Sequence, residues 1–319
     1  MKFWQFRFMA VFFSMSLICF FSSGYALACA SCGSGGDEPL VLFPAETFKI
    51  YGGVAVTPQF ESTGPDGLTL QTAGPNRRVN STVAAGIALS PRGFFTVAQT
   101  VVTNSRTRTN NSDARKSSAS KSGAADPSFS GRYTVMMLQL SRPLIPQIQI
   151  LGGYRPALAR SIHDSSDANL LDVFGSGFDE VRVGADLWLG MLSVKTGVAM
   201  TLTESIAARR SGILLKPGTL VRLTTSLTML STVDHFGINV QLVKLAAGVT
   251  ADRRTRAAAD RELVDGSEQS VNGAFISADL AALESDSVKF TVARQGVFGV
   301  VKNAVASTTW SLAWARVLR

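Results

Sequence analysis

The feature that most constrains this chain is an alternation of apolar and polar residues with a period of two, repeated in segments of about ten residues from Thr47 onward. In the segment 180–189 the odd positions are apolar, from Val181 to Leu189, whereas the even positions include Glu180, Arg182 and Asp186. The segments 79–90, 192–202 and 221–229 repeat the pattern. Because successive side chains of a strand point to opposite faces, the pattern predicts strands with one apolar face and one face toward water.

The connections between these segments separate two β architectures that both alternate, the soluble sandwich and the membrane barrel. Short turns are predicted near 90–93, 141–143, 190–191, 233–237 and 284–286. Between them lie long polar gaps at 61–78, 104–130, 161–177, 204–218 and 251–270. Outer-membrane barrels sort short turns and long loops to opposite ends in this way. We therefore predict an antiparallel transmembrane β-barrel over residues 47–319, with a soluble secreted β-sandwich as the alternative.

Counting segments predicts about twelve strands, near 47–60, 79–90, 94–104, 131–140, 147–157, 178–190, 192–203, 219–231, 238–249, 271–283, 288–298 and 307–318. An even number would place both termini in the periplasm. Trp310 and Trp314 share a face with Leu312, as expected at a lipid interface. In the segment 238–249 the apolar face shifts at Val243, so we expect Lys244 at a bulge or near an interface.

Residues 1–28 have the organisation of a secretory signal peptide. Lys2 and Arg7 precede an apolar run that ends at Phe21, and small residues lead to a cleavage site before Cys29. The apolar run is shorter than the roughly 18 residues that a membrane-spanning helix needs. The chain is therefore expected to be exported.

Residues 29–46 are predicted to form a periplasmic N-terminal tail that contains Cys29 and Cys32. An exported C-x-x-C pair is expected to oxidise, but the Gly-rich stretch after Cys32 does not suit a redox helix. Three states remain open: a small local disulfide, free thiols, or lipidation of Cys29. With His163 and His235 as the only histidines, a four-ligand zinc site would be hard to assemble, and we predict no metal site.

Several short motifs resemble Gram-negative outer-membrane β-barrel proteins and, more loosely, porin-like transporters associated with phenol meta-pathway degradation. The motifs are Gly123–Pro127, which leads into Ser130–Tyr133, then Gly152–Pro156 and Gly175–Glu180. The resemblance covers most of the chain after residue 28. It implies an outer-membrane location and assembly by the barrel-assembly machinery. Barrels of this kind usually end in an aromatic residue, whereas this sequence ends Ala315–Arg319.

If the barrel is correct, its inward-facing charged residues determine what passes. These candidate permeation residues are Lys49, Glu180, Arg182, Asp186, Lys195, Arg222 and Lys289. Their basic excess favours a weak preference for anions. The alternative is that Glu180, Arg182 and Asp186 only form structural salt bridges that fill the lumen. Basic residues in the long gaps, such as Arg77 and Arg253, are expected to contact outer-membrane lipid, including lipopolysaccharide phosphates.

The composition and motifs exclude several classes of protein. With 46% hydrophobic residues, the chain is not disordered. Despite a formal charge of +8, the basic stretches lack interleaved aromatics, so we predict no nucleic-acid partner. We also predict no enzyme activity and no cofactor, because no nucleophile motif, phosphate-binding loop or metal helix occurs. Two functions remain: a channel for small solutes of unknown identity, or a plugged structural or surface-interaction barrel, tethered through the C-x-x-C segment.

Overall fold

The structure is a computed structural model that describes residues 40–42, 46–58, 60–64, 66, 69–70, 76–109, 116–137, 145–190, 194–210, 212–235, 239–281, 285–299 and 301–318. The predicted signal peptide, Cys29 and Cys32 lie outside these residues. Within the described ranges, no helix is long and apolar enough to cross a membrane.

Twelve long antiparallel strands form the main sheet. They are β1 (Phe48–Thr57), β2 (Arg77–Ser90), β3 (Gly93–Thr109), β4 (Ser128–Met136), β5 (Gln147–Arg155), β6 (Glu180–Gly190), β7 (Val194–Ser205), β8 (Leu220–His235), β9 (Asn239–Arg254), β10 (Gln269–Ala281), β11 (Asp286–Gln295) and β12 (Val305–Leu318). Each strand pairs with the next along the chain. Short strands in the long connections are Phe60–Thr63, Thr69–Leu70, Lys116–Ala124, Ala208–Arg210, Ile213–Lys216, Ala258–Ala259 and Glu262–Leu263, and one 3-10 turn spans Ile162–Asp164.

The sheet closes on itself because β1 also pairs with β12, with Phe48 opposite Leu318 and Val56 opposite Trp310. The prediction of an all-β antiparallel barrel of about twelve strands is therefore confirmed. Strand β1 begins, and strand β12 ends, at the end of the barrel where the short connections lie. We call this the short-turn end and the opposite end the long-loop end.

The alternation in the sequence corresponds to the two faces of the barrel wall. The outer face carries large apolar side chains that are exposed, for example Val183, Leu187, Met200, Leu227 and Ile276. The inner face carries small, polar and charged side chains, many of them buried, such as Lys49, Arg132, Asp186, Thr224 and Asp279. An apolar outside and a polar inside are the inverse of a soluble β-barrel, which buries its apolar residues.

The structure corrects the predicted loop at 104–130 and the predicted bulge at Lys244. Strand β3 continues to Thr109, and the stretch predicted as a long loop at 104–130 contains the strand Lys116–Ala124, which pairs with β3 from Val101 onward. Strand β9 pairs in continuous register with β8 and β10 and has no bulge. Lys244 is therefore an ordinary inward-facing residue of a regular strand, and its polar character marks the lumen side.

The last strand confirms the expected aromatic face. Trp310, Leu312, Trp314 and Leu318 are all exposed on the outer surface. The indole nitrogen of Trp314 donates to a carboxylate oxygen of Asp286 at 3.0 Å, on the neighbouring strand β11. Trp310 packs near Phe290, with the ring centroids 6.1 Å apart. An indole with an apolar body and one hydrogen-bond donor suits the boundary between lipid and water.

Candidate solute pathway through the barrel

Ion pairs link strands β4, β5 and β6 on the inner face of the wall. Arg132 on β4 forms a salt bridge with Asp186 on β6, and both side chains are almost completely buried. Gln149, on the intervening strand β5, accepts from Arg132 at 3.4 Å and donates to Thr134 at 3.0 Å. Arg155 likewise forms a salt bridge with Glu180. These pairs tie β4, β5 and β6 together on their inner face.

A cavity opens from the lumen where these strands meet β3. Its lining includes Thr96, Ser130, Arg155, Glu180, Arg182 and Thr203. Two predicted permeation residues, Glu180 and Arg182, therefore line one cavity. A third, Asp186, faces the same lumen four residues beyond Arg182 on β6. It forms a salt bridge with Arg132. Arg132 was missed from the sequence because the segment 131–140 alternates irregularly.

The other predicted permeation residues lie elsewhere on the inner wall. Arg222 on β8 binds Asp252 on β9 through two hydrogen bonds of 2.7 Å. Lys49, Lys195 and Lys289 lie toward the short-turn end, on β1, β7 and β11. The seven residues thus share the lumen without forming one cluster. Ion pairs within the wall hold Glu180, Asp186 and Arg222. For Glu180 and Asp186, such structural salt bridges were the alternative that the sequence left open.

A segment of the predicted N-terminal tail lies inside the barrel. Leu40, Val41 and Leu42 are at most 4% exposed and form an apolar cluster with Ala84, Phe94 and Ala98, all on the inner face of β2 and β3. Lys49, which is 0% exposed, donates to the backbone carbonyl of Val41 at 3.3 Å and forms a salt bridge with Glu46 at 3.2 Å. At least this part of the tail therefore narrows the lumen.

Gly86 makes room for this tail segment. A Cβ atom at Gly86 would lie 2.4 Å from a methyl carbon of Leu42 and 2.7 Å from one of Leu40. Full burial of a leucine or valine side chain contributes about 1.5–3 kcal/mol, while fixing each backbone residue costs about 1–2 kcal/mol. Because the two terms are of similar size, we expect the position of the segment to be sensitive to a single substitution at its contact with the wall.

The connection between β5 and β6 packs against the inner wall at the long-loop end. Asn104, which is fully buried on the inner face of β3, donates to the carbonyls of Leu171 and Val173 at 3.1 and 2.9 Å. Phe174 packs against Gly123 of the strand Lys116–Ala124, where a Cβ atom would lie 2.3 Å from its ring. This connection, residues 156–179, is called the inner loop below. It packs against the wall from the inside at the long-loop end.

Asp126 holds the inner loop through the backbone. One carboxylate oxygen accepts from the amides of Leu158 and Ala159 at 2.8 and 2.7 Å, and the other from Ser176 at 3.1 Å. Gly175 fits beside it, since a Cβ atom there would lie 2.6 Å from the Asp126 carboxylate. The motifs at Gly123–Pro127 and Gly175–Glu180, far apart in sequence, therefore meet in space. The acidic residue of the first motif and the small residues of the second form one contact that holds the loop in place.

The acidic side chains of the inner loop have partners from the chain itself. Asp172 accepts from the Ser165 hydroxyl and from Arg160 at 2.9 Å. Asp167 forms a salt bridge with Lys121 at 2.7 Å, and Asp164 accepts from Ser161 at 2.5 Å. Across the described ranges, no three His, Cys, Asp or Glu side chains are grouped in a way that could hold a metal ion.

The hydrogen bond from Ser165 and then that from Arg160 lower the pKa of Asp172 to about 2. A depressed pKa means that the ionised carboxylate stabilises the folded loop above its unfolded pKa, near 4, and that this stability is lost as the pH falls through about 2. We expect pepsin to leave the inner loop intact at pH 4 and to cut it increasingly toward pH 2. Digestion followed by mass spectrometry measures this, and Asp172→Asn should be cut already at pH 4. Equal cutting of both proteins at pH 4 would contradict the assignment.

No family model matches the chain, and no curated protein matches it. Solved structures do match. The COG4313 outer membrane channel from Pseudomonas putida F1 superposes with a TM-score of 0.64 at 11% identity, covering 90% of this chain and all of that one. The NanC porin gives a TM-score of 0.46 at 8% identity, covering 85% of this chain and 100% of that one. The P. putida toluene transporter TodX gives 0.35 at 9% identity, covering 86% of this chain and 90% of that one. At this identity the first match shows a shared fold.

Proposed function

We propose that this protein is an outer-membrane channel that admits small solutes through a polar barrel lumen. The observation that carries the proposal is the closed twelve-strand wall with apolar side chains outside and charged side chains inside. A soluble barrel or sandwich would pay for exposing so many leucine, valine and methionine side chains to water. The first structural match is itself described as an outer membrane channel, and it has the same overall fold.

A second candidate function has its own support: a plugged structural or surface-interaction barrel without permeation. Leu40–Leu42 fill part of the lumen near β2 and β3, and the inner loop packs against the inner wall at the long-loop end. In this alternative both obstructions are permanent. In the channel proposal at least one of them moves aside.

Single-channel conductance of the refolded chain without its predicted signal peptide, in a planar bilayer with a salt gradient, tests the channel proposal. We expect reproducible open steps with a modest preference for anions, because lysines and arginines outnumber carboxylates among the described residues of the inner wall. Stable insertion without any open step would contradict permeation and favour the plugged barrel. Failure to insert would contradict both membrane proposals and favour the soluble sandwich.

For orientation, we propose that the short-turn end and both termini face the periplasm, since outer-membrane barrels keep short turns on that side. The long-loop end then meets the lipopolysaccharide leaflet. Three cations are exposed on its outer surface: Arg253 on β9, Arg294 on β11, and Lys302. The backbone of Lys302 pairs with that of Ser270 on β10. These cations lie above an apolar band that includes Ile276 and Trp310. That placement suits the phosphates of lipopolysaccharide.

We expect lipopolysaccharide to raise the temperature at which the refolded barrel loses its compact form on an electrophoresis gel. The double variant Arg294→Gln, Lys302→Gln should lose at least half of this increase, because it removes two of the three cations. Arg316→Gln removes one outward-facing cation at the short-turn end and serves as the control, with an unchanged increase. An unchanged increase in the double variant would contradict the proposed contact.

A further inference from the structure

Among the residues that the structure describes, the lumen near the short-turn end contains more cations than carboxylates. Two described carboxylates, Glu46 and Asp279, lie there with Lys49, Lys195, Lys244 and Lys289, and the formal net charge of these six groups is +2. Lys49 and Glu46 bind each other in the salt bridge that holds the tail segment. The remaining excess therefore belongs to the other three lysines and Asp279, which we call the lysine cluster.

Strand register places these groups side by side on the inner wall. Lys244 on β9 lies opposite Asp279 on β10, and Asp279 lies opposite Lys289 on β11. The three side chains form a row across neighbouring strands and point to the lumen. Lys195 joins from β7, and Lys244 interacts electrostatically with Lys49, Lys195 and Lys289 as well as with Asp279. One carboxylate in this row is thus shared among several ammonium groups.

Such an arrangement carries a repulsive energy that a bound anion would remove. Like charges repel one another more strongly inside a protein than in water, because the effective dielectric constant there is lower. Lysine ammonium groups are compact point charges with three donors each, and they bind oxyanions without a fixed fork geometry. A dianion matches the formal excess of two charges, whereas a monoanion neutralises half of it.

We propose that the lysine cluster binds a small divalent oxyanion, of the sulfate, hydrogen phosphate or dicarboxylate type. The site rests on the proposed channel only for access, since the anion reaches it through the lumen. In this proposal Lys244, Lys289 and Lys195 bind the anion. The sequence pattern had placed Lys244 at a bulge or near an interface. Asp279 lies between two of the lysines in the strand register, and its negative charge opposes the anion.

Sulfate is a suitable probe because it stays divalent throughout the neutral pH range. Isothermal titration of sulfate into the refolded chain in neutral detergent, at constant ionic strength, measures its affinity directly. We expect Lys244→Gln and Lys289→Gln each to weaken sulfate binding about tenfold, which corresponds to about 1.4 kcal/mol. Asp279→Asn should bind sulfate more tightly than the unaltered protein, a gain that a folding defect would not produce.

Lys121→Gln is the matched control, because it removes the same charge from an exposed position on the strand Lys116–Ala124. Its affinity for sulfate should equal that of the unaltered protein. The proposal is overturned if the unaltered protein binds no sulfate, if Lys244→Gln and Lys289→Gln bind it as tightly as Lys121→Gln does, or if Asp279→Asn binds it no more tightly. The titration needs no bilayer, so a protein that binds sulfate but does not conduct would contradict the channel and leave the anion site in place.

Discussion

Arg132→Met is expected to lower the free energy of unfolding by about 3–5 kcal/mol, because it leaves the Asp186 carboxylate buried without the guanidinium that neutralises it. The two side chains are 2% and 1% exposed, so water cannot replace the lost partner. Gln149 also loses the donor at 3.4 Å. Urea unfolding of the barrel from lipid vesicles measures the change. Trp188 lies on the same inner face two residues beyond Asp186 and provides a fluorescence signal.

The double variant Arg132→Met, Asp186→Leu separates the pair from the packing around it. With both charges removed, the side chains keep a similar volume and no uncompensated charge is left in the inner wall, so most of the stability should return. Arg256→Met is the control, since its salt bridge with Asp265 is exposed and is expected to contribute at most about 1 kcal/mol. Equal urea midpoints for Arg132→Met and Arg256→Met would show that the buried pair does not stabilise the wall.

The wall of this barrel could be predicted from sequence because its information is local. In β6 every second residue from Val181 to Leu189 faces outward, and each side chain reports its own face without knowledge of any partner. The short connections were equally visible, as at Pro91 and Arg92 between β2 and β3. The prediction failed in the irregular segments, where only the pairing register determines which face a residue occupies. Lys244 breaks the apolar pattern of β9 only if its face of the strand is taken to be the lipid-facing one.

The contents of the lumen could not be predicted, because they depend on contacts between distant parts of the chain. Asp126 accepts hydrogen bonds from Leu158 and Ser176, which are 32 and 50 residues away in the sequence. No sequence spacing predicts these contacts. The tail segment offered a different difficulty. Leu40, Val41 and Leu42 are apolar residues in a stretch too short for a strand, and the glycine at position 86 makes space for Leu40 and Leu42.

Gly86→Val is expected to open the channel. Its side chain would overlap Leu42 and Leu40, and overpacking of this kind costs about 1–3 kcal/mol. If the overlap is relieved by displacement of the tail segment, the ratio of closed to open channels falls by about 5–150-fold. Planar-bilayer recordings should then show longer or larger open steps than the unaltered protein. The strand itself tolerates the change, because valine is favourable in β structure and Gly86 has ordinary strand geometry.

Gly52→Val provides the matched control for this prediction. Gly52 lies on the outer face of β1, and a Cβ atom there meets no other atom within 4 Å. The same substitution therefore adds the same side chain without reaching the tail segment, and its conductance should equal that of the unaltered protein. A chain that starts at Thr47 removes the segment altogether and should conduct at least as well as Gly86→Val. If neither Gly86→Val nor the shortened chain conducts more than Gly52→Val, the tail does not limit the lumen, and the barrier lies at the inner loop held by Asp126.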